Sequence, residues 1–286
     1  MDHNSTSNYE NYKAPTREVV ILVFLNGLGC ILGTPANALV IVVIFSMRCL
    51  RTSRNYILAS LSGSDLITCV VWQPLLIDSV LNGLRVNFLV LFCTFFASLS
   101  SLNNLICLTM ERFIAVHFPF RYLNSLTRRL VVFICFLAYS IAFLLASLIA
   151  TKHLPYEVIY VYILILTLLM MLFYANIYCT AMKQVRKIQA MQKTPTDVEN
   201  SSKVIKAKYT TTSVAIVVAL FVLSWLPYLL LPAIPKQHFS QAFPWVNTCA
   251  ILQSNINPFL YFWKFASFRR ESRRCLQKLQ NSMGIL

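Results

Sequence analysis

A chain of 286 residues with 57% hydrophobic and only 12% charged residues cannot cover its own apolar surface as a soluble domain, where about 25% charge is usual. Lipid tolerates an apolar exterior, so the composition points to a polytopic membrane protein. The formal charge of +15 does not indicate nucleic-acid binding, because the basic residues are spread over three loops and a tail rather than gathered on one face.

Residues 1–18 (MDHNSTSNYENYKAPTRE) are polar and lack the basic and apolar regions of a cleavable signal peptide. The first hydrophobic segment is therefore expected to act as an uncleaved signal anchor. Seven segments then reach the roughly 20 residues that a helix needs to cross a bilayer. They lie at 19–46, 56–80, 88–115, 129–150, 157–182, 208–233 and 242–264, the fourth and fifth parted only by TKHLPYE. Unpaired backbone groups cannot be left in hydrocarbon, so an open sheet is excluded and an all-α membrane protein follows. Behind the last span, FWKFASFRRESRRCLQKL sets apolar residues at 262, 265, 268, 275, 276 and 279 among basic ones. That pattern predicts a short amphipathic helix on an anionic membrane surface. The expected organisation is an extracellular N-terminus (1–18), a seven-transmembrane helix bundle (19–264) and a cytoplasmic amphipathic helix with tail (265–286).

Orientation follows from charge. With the N-terminus outside, all but Lys13, Arg17, Arg85, Lys152 and Lys236 of the 25 lysines and arginines fall on the cytoplasmic side, as the positive-inside rule requires. Asn4-Ser5-Thr6 is then an extracellular glycosylation sequon, whereas Asn200-Ser201-Ser202 lies on the wrong side to receive a glycan. Cys275, close to the membrane, is a candidate palmitoylation site or an unmodified thiol.

Polar residues inside the spans discriminate among seven-helix proteins, because such groups are costly and usually functional. Only Asp65 in the second span and Glu111 at the cytoplasmic end of the third are acidic and deep. No lysine lies in the interior of the seventh span, so a retinal Schiff base has no anchor. No inverted repeat marks a transporter. No nucleophile–base pair, metal-ligand spacing or phosphate loop marks an enzyme.

Five short motifs fall one per span: GTPANALVI (33–41), LSGSDL (61–66), ERFIAV (111–116), FVLSWLP (221–227) and NINPFLY (255–261). Together, in this order, they resemble the helix signatures of rhodopsin-like, or class A, G-protein-coupled receptors, over about residues 19 to 280. The resemblance implies a plasma-membrane receptor with a heterotrimeric G protein as partner. It implies a switch in which Glu111 pairs with Arg112 at rest and Arg112 is freed on activation, with Tyr174 and Tyr261 moving towards it. Trp225 and Pro227 would form a packing element that bends the sixth helix, and Asn257 and Pro258 would kink the seventh. Proline frees a backbone carbonyl, which a polar seam of Asn37, Asp65, Ser101, Gln253, Ser254 and Asn257 could satisfy. In the family this seam holds a sodium ion on the aspartate. Here Gln253 replaces the commoner asparagine, and a hydrogen-bonded network without an ion is the other reading of the same residues.

Departures from the family narrow the ligand. Asn87 stands where the third helix usually has a disulfide cysteine, and residues 151–157 contain none. The fourth helix lacks its usual tryptophan, and Leu166 replaces a proline in the fifth. These features resemble the melanocortin, cannabinoid and adenosine cluster, although Leu75, Asn87 and Leu91 replace the acidic pocket of melanocortin receptors. By position the ligand cavity is expected at Leu76, Thr94, Phe95, Ser98, Tyr162, Trp225, Tyr228, Leu229, Phe243, Asn247 and Ile251. Thr94 occupies the place of the aspartate that pairs with amine ligands, which favours a small neutral or lipid-like molecule; a peptide around Asp78 and Glu157 is the other occupant considered. A constitutively active or heteromerising receptor, and a channel or transporter subunit, are the remaining alternatives.

Overall fold

The computed structural model describes residues 15–82, 88–120, 122, 126–191, 216, 219–220, 222–264, 268–274 and 277. Among these residues every regular element is helical. Helix α1 (Thr16–Ser46) begins directly behind Pro15 and has Glu18 in its first turn, where the positive end of the helix dipole favours an acid. A 3₁₀ turn at Arg48–Leu50 leads into α2 (Ser53–Asn82). Thr52 Oγ1 caps α2 by accepting the Asn55 N–H at 3.3 Å. Inside α2 the chain widens into a π-turn over Thr68–Trp72. Pro74 lies just beyond it and cannot donate to the carbonyl four residues back, so the wider turn relieves the missing bond.

Helix α3 (Phe88–His117) is followed by α4 (Arg128–Ala150), which Thr127 caps through the Leu130 N–H at 3.3 Å. At the far end of α4 the Lys152 and His153 amides bond back to Ile149 and Leu148 at 2.9 Å each, and Lys152 takes φ 61°. This is a left-handed helix stop of the kind glycine usually fills. Helix α5 (Tyr156–Met191) follows after a five-residue connection. Helix α6 is described over Val222–Ala233 and ends in a 3₁₀ turn at Leu231–Ala233. Helix α7 (Lys236–Lys264) comes next, and residues 268–274 form a short eighth helix, α8.

Helices α1 to α5 are long and apolar enough to cross a membrane. Several ends differ from the sequence-based limits. Helix α1 starts three residues before position 19, α2 three before 56, and α7 six before 242; α5 runs nine past 182. Hydropathy falls where charge begins, but helical hydrogen bonding does not. KQVRKIQAM therefore continues α5, and KQHFSQ opens α7 behind Pro235. Residues 16–18, expected in the N-terminal segment, form the first turn of α1. The expected start of the sixth span at 208, the sequon at Asn4 and the thiol of Cys275 lie outside the described residues.

Helix α3 is the centre of the bundle and packs on α2, α4 and α5, while α1 packs on α2 and α7. The buried face of α3 carries Leu99, Leu102, Leu105 and Leu108 beside Ser100, Ser101, Asn103 and Asn104. At the other edge α8 seats Phe268 edge-on against Phe262 with ring centroids 5.2 Å apart, and buries Glu271 under Arg270 and Arg274.

Candidate functional site

At the end of the bundle where α3 finishes, the Arg112 guanidinium bridges both carboxylate oxygens of Glu111. The carboxylate is buried, while the arginine keeps 14% of its side-chain surface. Tyr122 adds a third donor to the same group, its hydroxyl reaching Glu111 Oε1 at 2.7 Å. Burial, and then the bond to Glu111, pushes the Tyr122 phenol up to about 12, so it stays a proton donor at physiological pH. Tyr174 on α5 and Tyr261 on α7 are buried, and their hydroxyls find no hydrogen-bond partner among the described residues. Sequence reasoning missed Tyr122. Its only signal is its place three residues past Pro119, in a loop rather than a span.

Deeper in, Asp65 is fully buried and accepts from Ser101 Oγ at 3.0 Å and Asn257 Nδ2 at 2.8 Å. Pro258 leaves the Ser254 carbonyl without its helical donor, and Asn37 Nδ2 fills the gap at 3.2 Å. The same amide group also donates to Gly33 O at 3.1 Å. The seam expected from the sequence is thus assembled from α1, α2, α3 and α7. Gln253 is also buried, but its Nε2 has no partner among the described residues.

A second polar cluster lies one to two turns above the seam, between α1, α2 and α7. Asn26 Nδ2 donates to Thr248 Oγ1 at 2.9 Å, and the Cys69 thiol donates to Asn255 Oδ1 at 3.1 Å. A methyl group on Gly29 would collide with the Asn255 and Gln73 amides, and one on Gly33 with Asn255 and Cys69 Sγ. The glycines let α7 press its amide into α1. Sequence reading found the Asp65 residues because they belong to a motif. It missed Asn26, Gln73 and Asn255 because a buried amide in a span gives no sign of which helix it faces.

In the outer half, Leu76, Thr94, Phe95, Ser98, Trp225, Tyr228, Asn247 and Ile251 are buried, and Tyr162, Leu229 and Phe243 are half-buried. Trp225 meets Tyr228 edge-on at 5.3 Å, and Tyr228 lies 5.4 Å from Tyr160. The hydroxyls of Thr94 and Ser98 donate to their own helix, at Val90 O (2.7 Å) and Thr94 O (2.6 Å). Asn247 Nδ2 likewise donates to Phe243 O at 2.8 Å. Tyr162 points away from this group and donates to Asn103 Oδ1 at 2.7 Å. Asn103 in turn donates to Ala138 O at 3.0 Å, tying α3, α4 and α5 together. The eight described cysteines are free thiols, with Cys93 buried and Cys249 exposed.

The family model for 7 transmembrane receptors (rhodopsin family) matches residues 36–158 and 149–261. The chain belongs to the rhodopsin family of seven-transmembrane receptors. Among its relatives, trace amine-associated receptor 7h of Rattus norvegicus is 27% identical over 90% of this chain and 82% of its own length. Adenosine receptor A2b of Gallus gallus is 24% identical over 87% and 86%. Tyramine receptor Ser-2 of Caenorhabditis elegans is 31% identical over 38% of this chain and 26% of its own length. An adenosine receptor thus stands among the relatives, as the cluster inferred from the sequence would have it, and amine receptors stand beside it. Membership makes this rhodopsin-family chain a multi-pass membrane receptor that signals through heterotrimeric G proteins, and not an enzyme.

Proposed function

We propose that this receptor sits in the plasma membrane with its N-terminus outside and binds a small uncharged or lipid-like ligand in the outer half of the bundle. It relays that binding to a heterotrimeric G protein at the Arg112 end. Lysine and arginine density at that end supports the orientation. Pressure on Trp225 would tilt α6 about Pro227 and open the Glu111–Arg112 pair. Arg112 would then face the G protein. The Tyr174 and Tyr261 hydroxyls, which stand buried without partners among the described residues, would gain one by meeting it, and an unmade buried bond is costly enough to favour that move.

The oxygen set around Asp65 suits a hard monovalent cation. Asp65 and Ser101 are already in contact, Ser254 lies beside them, and Asn257 Oδ1 is a buried acceptor without a partner among the described residues. Asp65, Ser101, Ser254 and Asn257 would hold a sodium ion, which supplies the buried carboxylate with a charge partner in the resting arrangement.

Thr94 carries the ligand reading. Its hydroxyl is engaged by Val90 O, so a ligand ammonium beside it would meet no carboxylate and would carry a large desolvation penalty. The trace amine relatives favour the opposite reading. A G-protein activation assay with serotonin, dopamine, histamine and tyramine separates the two. None should activate potently, and a potent response retained in Thr94→Ala would overturn the neutral-ligand reading. Arg112→Ala, assayed alongside, should lose coupling without losing surface expression.

A further inference from the structure

Two hydrogen bonds fix how α2 and α3 run past each other. Ser101 Oγ donates to Asp65 at 3.0 Å, and Ser60 Oγ donates to Asn104 Oδ1 at 2.6 Å. A step back along α2 is met by a step forward along α3, so the two helices are antiparallel. Equal steps from one bonded pair then reach residues at the same level. Eleven residues make three turns of helix and return to nearly the same face. Eleven steps from Asp65 lead down α2 to Arg54, and eleven from Ser101 lead down α3 to Arg112. Arg54 therefore stands opposite the Glu111–Arg112 pair, about 16 Å below the Asp65 level. Ser53 Oγ ties this first turn of α2 to the loop that carries Tyr122, by donating to Leu126 O at 2.9 Å. Arg54 is half-buried, with its Nε sealed from solvent. The groups that act on its charge are Arg112, Glu111, Tyr122 and Tyr261, and Tyr174 on α5 lies within the same field.

Two guanidiniums thus face one carboxylate. At rest Arg112 takes both oxygens of Glu111. Once Arg112 turned to the G protein, Glu111 would keep only the Tyr122 hydroxyl, and a buried charge stripped of its partner is strongly unfavourable. We propose that Arg54 is the second partner of Glu111: as Arg112 leaves, the Arg54 guanidinium takes the vacated carboxylate oxygens. The exchange keeps one arginine on the carboxylate in both arrangements, so the resting pair opens without stranding its acid. It also separates two cations that repel each other at rest. The inference rests on the Glu111–Arg112 switch proposed above and adds the group that lowers the cost of Arg112 release. Arg54 is a positioning residue in this scheme, because it acts on Arg112 through Glu111.

The test is a double-mutant cycle on the full-length receptor reconstituted with a heterotrimeric G protein, read as basal nucleotide exchange. Arg54→Gln should lower exchange about tenfold, whereas Arg54→Lys, which keeps a cation, should retain most of it. In a Glu111→Gln background no carboxylate is stranded, so adding Arg54→Gln should change exchange by less than about twofold. That small effect would also show that the receptor folds without Arg54. An equal loss from Arg54→Gln in both backgrounds would overturn the proposal and leave Arg54 acting by repulsion on Arg112 or by packing. A rise in exchange in Arg54→Gln would overturn it as well, because Arg54 would then hold the resting arrangement. Arg112→Ala, measured beside these, separates the exchange from the switch beneath it. Full coupling in Arg112→Ala overturns both, while lost coupling with equal Arg54→Gln effects overturns the exchange alone.

Discussion

Helices α3 and α4 lie side by side, and their composition runs against their position. The most apolar 18-residue stretch of α4 has mean hydropathy 2.6, yet only 28% of it is buried; in α3 the figures are 1.7 and 78%. In water the more apolar helix would be the inner one. In a bilayer the solvent is itself apolar, so hydrophobicity does not sort residues inward, and polar contacts and close packing decide what goes to the centre. Helix α3 holds its neighbours with Ser101, Asn103 and Asn104, whereas α4 turns Phe133, Phe136 and Phe143 outward.

The contrast is strongest where one polar side chain serves three helices. Asn103→Leu removes the bonds to Ala138 O and Tyr162 and strands the phenol, a loss of about 2–4 kcal/mol. Phe136→Leu, one helix away and facing lipid, should stay within about 0.5 kcal/mol. Thermal unfolding of the purified receptor in micelles, followed by tryptophan fluorescence, reads both. Equal effects would mean that α3 is held by apolar packing after all.

A pair of glycines on α1 sharpens the same point. Gly33 faces Asn255 and Cys69, so Gly33→Ala overpacks the α1–α7 contact and should cost about 1–3 kcal/mol. Among the described residues nothing lies within 4 Å of a methyl on Gly27, so Gly27→Ala should instead stabilise by about 0.5–1 kcal/mol through helix propensity. Opposite signs in the same melting experiment are the expected outcome. A matching sign would place the helix faces wrongly.

These two cases also mark what the sequence makes legible. Seven spans, their order, and the residues around Asp65, Arg112 and Pro258 can all be read from it, because long apolar runs and short motifs are local signals. Which face of α1 meets α7 is not local. Gly29 and Gly33 look alike in the sequence to Gly27, and only the positions of Asn255 and Gln73 on other helices tell them apart. Helix ends fail for another reason: α5 and α7 carry on into polar sequence that a hydropathy reading assigns to loops. Tyr122 and Asn103 were missed because each acts through a partner distant in the chain, Glu111 eleven residues away and Tyr162 fifty-nine.

A smaller effect is expected at the seam. If Asp65 holds sodium in the resting arrangement, raising sodium at constant ionic strength should lower basal nucleotide exchange on a reconstituted G protein, on the order of fivefold. Asp65→Asn should be insensitive to sodium. An identical response in both proteins would leave the hydrogen-bonded network alone at that place. Smallest of all should be the response to reduction. The described cysteines are free thiols, so dithiothreitol on intact cells should leave surface expression and signalling unchanged. A large loss would put a disulfide on the outer face and move the ends of α3 or α7.

The bond from Asn37 to Ser254 O has a mechanical consequence. A helix bent at proline normally pivots on a carbonyl that only water can follow. Here the pivot is pinned from outside, by a side chain rooted in a different helix. The seven residues from Pro258 to Lys264 form a lever of about 9 Å, and α1 is its fulcrum. Flexing at that turn does not cost the Ser254 carbonyl a helical donor, because the proline has already removed it, and the Asn37 amide keeps the carbonyl bonded from α1.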